Sequence, residues 1–253
     1  MNGPRLVAVG DLLLDVSVRG SPGHDAHVSV RAGGSAANVA VWAAHLGASA
    51  TVLGRVGGDL AGRAVREALE QRNVDVRVAV DPALATGTFV LVNSERFVDR
   101  GASARFSPDE LPETIEADIV VVSPYLPRAA ADAVVRRARA EWVVALGRQL
   151  RGAGGVILSE DEAEVGVHVL GAQYRLACVT LGRLGALAML DGEERSAPAP
   201  VVETGEATGA GDAFAAALLV AVARGSSLSD ALEDACRVGA EAAASPTAWP
   251  VVK

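Results

Sequence analysis

The sequence predicts an α/β protein: a mainly parallel sheet covered by helices on both faces. Three observations carry this reading. Short apolar runs rich in β-branched residues alternate with longer helical stretches along most of the chain, the order of strands joined by crossover helices. The 253 residues are 50% hydrophobic, enough for one sizeable core, so a single domain over 1–253 is expected. Two segments, about 16–31 and 86–103, interrupt the alternation with strand-like character and read as insertions.

Taken in order, Leu6 to Gly10 reads as a central strand, and Leu12 to Val18 continues towards the turn cluster Gly20-Ser21-Pro22-Gly23. His27 to Val30 alternates polar and apolar residues, the period of a half-exposed strand. A helix from about Ala37 to Leu46 ends at Gly47 in the C′ position, followed by a strand Thr51 to Leu53 and a helix Leu60 to Arg72. Thr86 to Arg100 carries β-branched and aromatic residues around a turn at Asn93-Ser94-Glu95. The second half gives strands Ile119 to Ser123, Trp142 to Leu146, Val156 to Leu158 and Leu176 to Leu181, with a helix Arg128 to Ala140 between the first two. Hairpin-like segments at Ala186 to Leu190 and around Val201 precede two helices, one after Asp212 and one from Leu228 to about Ala243.

Composition excludes several roles. The net charge is −8 and Lys253 is the only lysine, which argues against a nucleic-acid-binding surface. Cys178 and Cys236 lack metal-type spacing and read as reduced thiols of a cytoplasmic protein. The start, Met1-Asn2-Gly3-Pro4-Arg5, leads into an apolar strand interrupted by Asp11 and Asp15, unlike a signal peptide. No stretch reaches about 18 uncharged apolar residues, so no membrane span is expected.

The chemistry concentrates at Ala207-Thr208-Gly209-Ala210-Gly211-Asp212-Ala213-Phe214, where an irregular segment becomes the apolar helix Ala213 to Ala223. Free N–H groups in the first turn form an anion site, and glycines admit a phosphate. A carboxylate at Asp212 would repel that ligand unless it has work there, and the work it suits is general base.

Two longer patterns surround this junction. Gly33-Gly34-Ser35-Ala36-Ala37-Asn38, the small-residue run Val39 to Leu46, and Gly54-Arg55-Val56-Gly57-Gly58-Asp59-Leu60-Ala61-Gly62 resemble the N-terminal signature of the ribokinase-like (PfkB) carbohydrate kinases. Thr208 to Phe214 resembles their C-terminal signature, with Val179-Thr180-Leu181-Gly182-Arg183-Leu184-Gly185-Ala186 between the two as in that family. The resemblance runs from about Val7 to Gly225.

It implies a three-layer α/β/α fold whose two insertions form a small β lid, and ATP-dependent, Mg²⁺-requiring phosphorylation of a primary hydroxyl of a sugar or sugar acid. Asp212 would take the hydroxyl proton, with Gly209, Ala210 and Gly211 as the anion hole. Asp15 and Asp11 would accept hydrogen bonds from sugar hydroxyls, Gly33 and Gly34 would let the backbone approach the sugar, and Asn38 would offer a donor and an acceptor. Thr180, Gly182 and Thr208 would border the nucleotide, Glu162 would serve the metal, and Glu206 a monovalent cation such as K⁺. Relatives usually carry Asp at the position of Glu206 and Asn at that of Ser159, and a helix where Arg148 to Gly155 is short and glycine-rich. Arg96 and Arg100 on the second insertion could reach substrate or phosphate, and Phe89 and Phe97 are its aromatics. A homodimer through the lid is implied, its outer face pairing with a second subunit and its apolar face turned to the substrate. The alternatives are a nucleoside kinase of the same fold and a catalytically weak sugar-binding relative.

Overall fold

The computed structural model describes residues 3–20, 25–93, 95–203, 209–245 and 248–250. The first half contains β1 (Arg5–Val9), β2 (Leu13–Arg19), β3 (His27–Gly33), α1 (Ser35–His45), β4 (Ser49–Gly57), α2 (Leu60–Glu70), β5 (Asp75–Asp81), β6 (Thr86–Val92) and β7 (Glu95–Gly101). The second contains β8 (Ile115–Glu116), β9 (Ile119–Val122), α3 (Arg128–Arg137), β10 (Ala138–Arg139), β11 (Trp142–Leu146), β12 (Gly155–Ser159), α4 (Val167–Gly171), β13 (Leu176–Thr180), β14 (Ala186–Leu190), β15 (Glu193–Ala197), α5 (Ala210–Ala223) and α6 (Leu228–Ala244). Among the described residues, no helix is long and apolar enough to cross a membrane.

The main sheet runs β15-β14-β13-β12-β11-β9-β1-β4-β5. All pairings from β5 to β13 are parallel, while β14 and β15 close one edge antiparallel. Its inner strands β1, β9, β11, β12 and β13 are apolar on both faces because both are covered. Leu6 and Ala8 of β1 enter a core with α1, α2, α5 and α6, whereas Val7 and Val9 enter one with α3 and α4, the alternation that a pleated strand imposes. These are the three layers the sequence predicts. α5 is buried from Ala213 to Val220, as befits a helix apolar on all sides.

Several boundaries differ from expectation. β5 was not anticipated; its alternating Val76, Val78 and Val80 form the exposed edge of the sheet. The helix expected to reach Ala140 stops at Arg137, whose guanidinium donates to the carbonyls of Pro108 and Leu111, and Ala138 turns extended so that β10 pairs with β8. The partner of β14 is β15, not the region of Val201, which is fully exposed. Between β11 and β12 no helix intervenes: residues 147–154 turn at Gly147 (φ 63°) and Gly152 (φ 85°), and Leu150 fills the core in a helix's stead.

β2, β3, β6 and β7 form a separate small sheet, order β3-β2-β6-β7, whose central pair is parallel. It is joined to the main body by the second half of the N-terminal signature. Asp59 caps α2 through the Gly62 N–H and also accepts from the N–H and hydroxyl of Thr86, where β6 begins. Gly62 must lack a side chain, since a Cβ would lie 2.2 Å from the Gly57 carbonyl oxygen. The register places Val16, Val18, Val28, Val30, Val90, Val92 and Phe97 on one face, with Val28, Val30 and Phe97 more than half exposed. That face points away from the cavity lined by Leu13, Asp15, Phe89 and Arg96. The apolar face was expected on the substrate side; the face that lines the cavity is instead mixed and polar.

Candidate active site

Gly209 takes the left-handed conformation (φ 90°) as N-cap of α5, and a Cβ there would meet the Ala248 Cβ at 2.9 Å and the Asn38 amide nitrogen at 3.1 Å. Among the described residues no side chain caps the helix, and the first-turn N–H groups of Ala210, Gly211 and Asp212 have no intrahelical acceptors, so the positive end of the dipole faces a ligand site.

Asp212 sits in the first turn of α5 and is held from α1. Ser35 Oγ donates to its Oδ1 at 2.7 Å and Asn38 Nδ2 to its Oδ2 at 2.8 Å. Burial pushes its carboxyl up to about 7; the bonds from Asn38 and Ser35 pull it down, and the charges of Asp11 and Asp15 push it up. A carboxylate so poised changes protonation near neutrality, where a general base works best. α1 begins at Ser35, so Asn38 lies inside its first turn and is not its cap. Its carbonyl accepts from the indole N–H of Trp249 at 2.8 Å.

Asp11 is buried, accepting from Ser123 Oγ at 2.6 Å and from the Ser35 N–H at 3.2 Å. It thereby caps α1 from a distant strand end, since Gly34 has no side chain to do so. Asp15 faces Arg31 at 3.8 Å; burial pushes it up to about 6 against the pull of Arg31. Gly34 (φ 99°) lines the cavity. Gly33 does not: a Cβ there would overlap the Asp15 carboxyl at 2.2 Å, so its bareness makes room for Asp15 instead of for a sugar.

These groups line a cavity of about 340 Å³ with Asp11, Asp15, Gly34, Asn38, Glu162 and Asp212 in its wall. A second cavity of about 300 Å³ lies against Gly182, Ala199, Pro200, Phe214, Gly239 and Ala240. Thr180 and Gly211 belong to both walls, so the two cavities meet at the start of α5, outside the carboxyl end of β13, where open parallel sheets bind ligands. Ala210 faces the second cavity. Thr208 and Glu206 lie outside the described residues.

Glu162 accepts the Ser159 N–H through Oε2 at 2.8 Å, leaving its other oxygen for a ligand. A carboxylate with one oxygen left over in a cavity wall suits Mg²⁺, which keeps most of its shell for phosphate oxygens and water. The arginines separate in role: Arg96 lines the first cavity, while Arg100 is committed to Tyr125, stacking on its ring at 4.5 Å and donating to its carbonyl at 3.2 Å. Phe89 faces the cavity, and Phe97 lies on the opposite face of the small sheet. Sequence reasoning assigned no role to Ser35, Tyr125, Arg31 or the α6 wall. Gly239, the one glycine in an alanine-rich helix, was the available signal for the last.

A part-buried carboxylate at a helix N-terminus where two cavities meet, on a mainly parallel α/β sheet, is the setting that phosphoryl transfer to a small molecule asks for. The chain belongs to the pfkB family of carbohydrate kinases, whose family model matches residues 4–142 and 138–249. It is 31% identical over 267 residues to a fructokinase of Klebsiella pneumoniae, covering 88% of this chain and 85% of the relative. It is 33% identical over 241 residues to a 1-phosphofructokinase of Haloferax volcanii, covering 82% and 77%. The fold is that of the crystal structure of aminoimidazole riboside kinase from Salmonella enterica, complexed with aminoimidazole riboside and an ATP analogue, with TM-score 0.81, 24% identity and coverage of 96% and 95%.

Proposed function

We propose that this carbohydrate kinase transfers the γ-phosphoryl group of ATP to a primary hydroxyl of a sugar or sugar acid. The observation that carries the reading is the position of Asp212, held in the wall of the first cavity next to Gly211, which lines both. ATP occupies the second cavity, and the acceptor occupies the first under the small sheet, which acts as its lid. Asp11 and Asp15 accept hydrogen bonds from acceptor hydroxyls. Asp212 takes the proton of the reacting hydroxyl as its oxygen bonds to the γ-phosphorus. The bond to the β-phosphate oxygen breaks, and ADP leaves with that electron pair. The N–H groups of Ala210, Gly211 and Asp212 face the charge that develops on the transferred group, which is where preorganised donors act most strongly. Bound through Glu162, Mg²⁺ would neutralise phosphate charge, and Glu206 would serve a monovalent cation.

The first cavity is acidic, with Asp11, Asp15, Glu162 and Asp212, and Arg96 is the cation in its wall among the described residues. Arg96 supports an acceptor carrying an anionic group away from the reacting hydroxyl, hence the sugar acid. Phe89 and Tyr125 in the same wall support the second reading, a nucleoside whose base stacks between aromatic groups. The chain works as one domain with lid insertions at 16–31 and 86–103, paired through the lid as a homodimer in the cytoplasm.

A thermal-shift screen of sugars, sugar acids and nucleosides with a non-hydrolysable ATP analogue tests the reading, since a bound ligand raises Tm by mass action. Hits followed by ATP turnover support it. Binding of a sugar with no phosphoryl transfer under Mg²⁺ and K⁺ overturns it in favour of a sugar-binding protein.

A further inference from the structure

The segment 248–250 packs directly on the catalytic groups. Trp42 Nε1 donates to the Ala248 carbonyl at 2.8 Å, and the Arg72 guanidinium lies 5.4 Å over the Trp249 ring while donating to the Pro250 carbonyl at 2.6 Å. Held this way, Ala248 abuts Gly209 at the start of α5, and Trp249 Nε1 reaches Asn38 Oδ1 at 2.8 Å.

An indole N–H can only donate, whereas a primary amide can present either of its ends to a neighbour. We propose that Trp249 is a positioning residue for phosphoryl transfer: its donor-only N–H fixes the Asn38 side chain with the carbonyl towards Trp249 and the NH₂ group towards Asp212. That orientation matters because the two ends of the amide favour opposite states of the base. An NH₂ group donates to the ionised carboxylate that takes the substrate proton; a carbonyl would accept from the protonated carboxyl and hold it inactive. Without the indole N–H, the Asn38 amide is free to turn over and stabilise the wrong state.

The other groups facing Asp212 do not substitute for this. Asp11 and Asp15 carry the same sign and oppose its ionisation. Ser35 has a hydroxyl that donates or accepts as required. Glu162, Tyr125 and Arg96 lie in the wall of the same cavity, and α6 brings Gly239 against Ala210 without a charged group.

The inference rests on the reading of Asp212 as general base, and the test separates the two. Trp249→Phe keeps an aromatic ring and removes the donor. Expected are a loss of about 5- to 50-fold in kcat with little change in KM for ATP, and an acidic limb of kcat/KM displaced upward by about one pH unit. In the free protein, the side-chain amide signals of Asn38 in a ¹⁵N-correlated spectrum should titrate with Asp212, their midpoint moving upward in the variant. Arg72→Met, which loosens the same segment without touching Asn38, should move both midpoints in the same direction by less, and serves if Trp249→Phe fails to fold. A lowered Tm with unmoved midpoints overturns the positioning role and leaves Trp249 a packing residue. Retained activity in Asp212→Asn would sink the general-base reading, while the Asn38 titration still decides whether Trp249 orients the amide.

Discussion

Ser35 and Asp212 are 177 residues apart in the chain, yet the hydroxyl of one donates to the carboxylate of the other across 2.7 Å. Ser35 belongs to the N-terminal signature and opens α1; Asp212 belongs to the C-terminal signature and lies in the first turn of α5. Two helix N-termini thus converge on one carboxylate. The signature glycines at Gly34 and Gly209, both with positive φ, let the chain enter those helices at the required angles.

Asp212→Asn should lower kcat by about 10²- to 10⁴-fold while leaving acceptor affinity nearly unchanged, because the amide keeps the shape but cannot take a proton. Steady-state rates with isothermal binding of the acceptor check this. Activity within a few-fold of wild type would remove Asp212 from the mechanism.

With Asp212 pushed up to about 7 in the free protein, kcat/KM should rise with pH and level off above that value, since the ionised form is the base. Stability runs the other way. Below the ordinary carboxylate range, about 4, Asp212 is protonated folded and unfolded alike and costs nothing. As pH climbs towards 7 the unfolded chain gives up its proton first, so folding is progressively penalised. Asp212→Asn should therefore show a Tm advantage that is absent near pH 4 and full above pH 7, each kcal/mol recovered raising Tm by about 2–4 °C. Melting curves across that range, without ligand, decide it.

Arg96→Met should raise KM for a carboxylate-bearing acceptor by about 10-fold or more, the loss of one charge-assisted hydrogen bond, and leave KM for a neutral sugar unchanged. Equal effects on both acceptors would show that Arg96 does not read an anionic group.

Aspartate at Val90 and Val92 places charge on the exposed valine face. Sedimentation should show a weakened dimer, and KM for the acceptor should rise with it, because Asp15 and Phe89 stand on the opposite face of the same sheet. A wild-type protein that sediments as a monomer at micromolar concentration with acceptor bound rules out this arrangement.

Much of the architecture was legible because it is local. The β–α alternation, the buried α5 and the glycine junction before Asp212 all leave their mark within a dozen residues of sequence. What escaped was set by distant partners. α3 gives way to β10 because Ala138 finds β8, and the donor and acceptor ends expected of Asn38 are met by Asp212 and Trp249, 174 and 211 positions away. Gly33 looked like a place for a sugar to approach, but its missing side chain accommodates Asp15 from the facing strand.

The parallel pairing of β2 with β6 gives the enzyme an order of assembly. A hairpin can zip from its own turn, but these strands are separated by β3, α1, β4, α2 and β5, so their pairing closes a long loop that includes strands of the main sheet. Contacts of such long range are slow to close and contribute late. A folding chain should therefore gain the locally connected strands of its main sheet first, and the small sheet over the first cavity last. Truncated or partly folded species would expose the unpaired edges of β2 and β6, the place where chaperone binding or aggregation would first be felt.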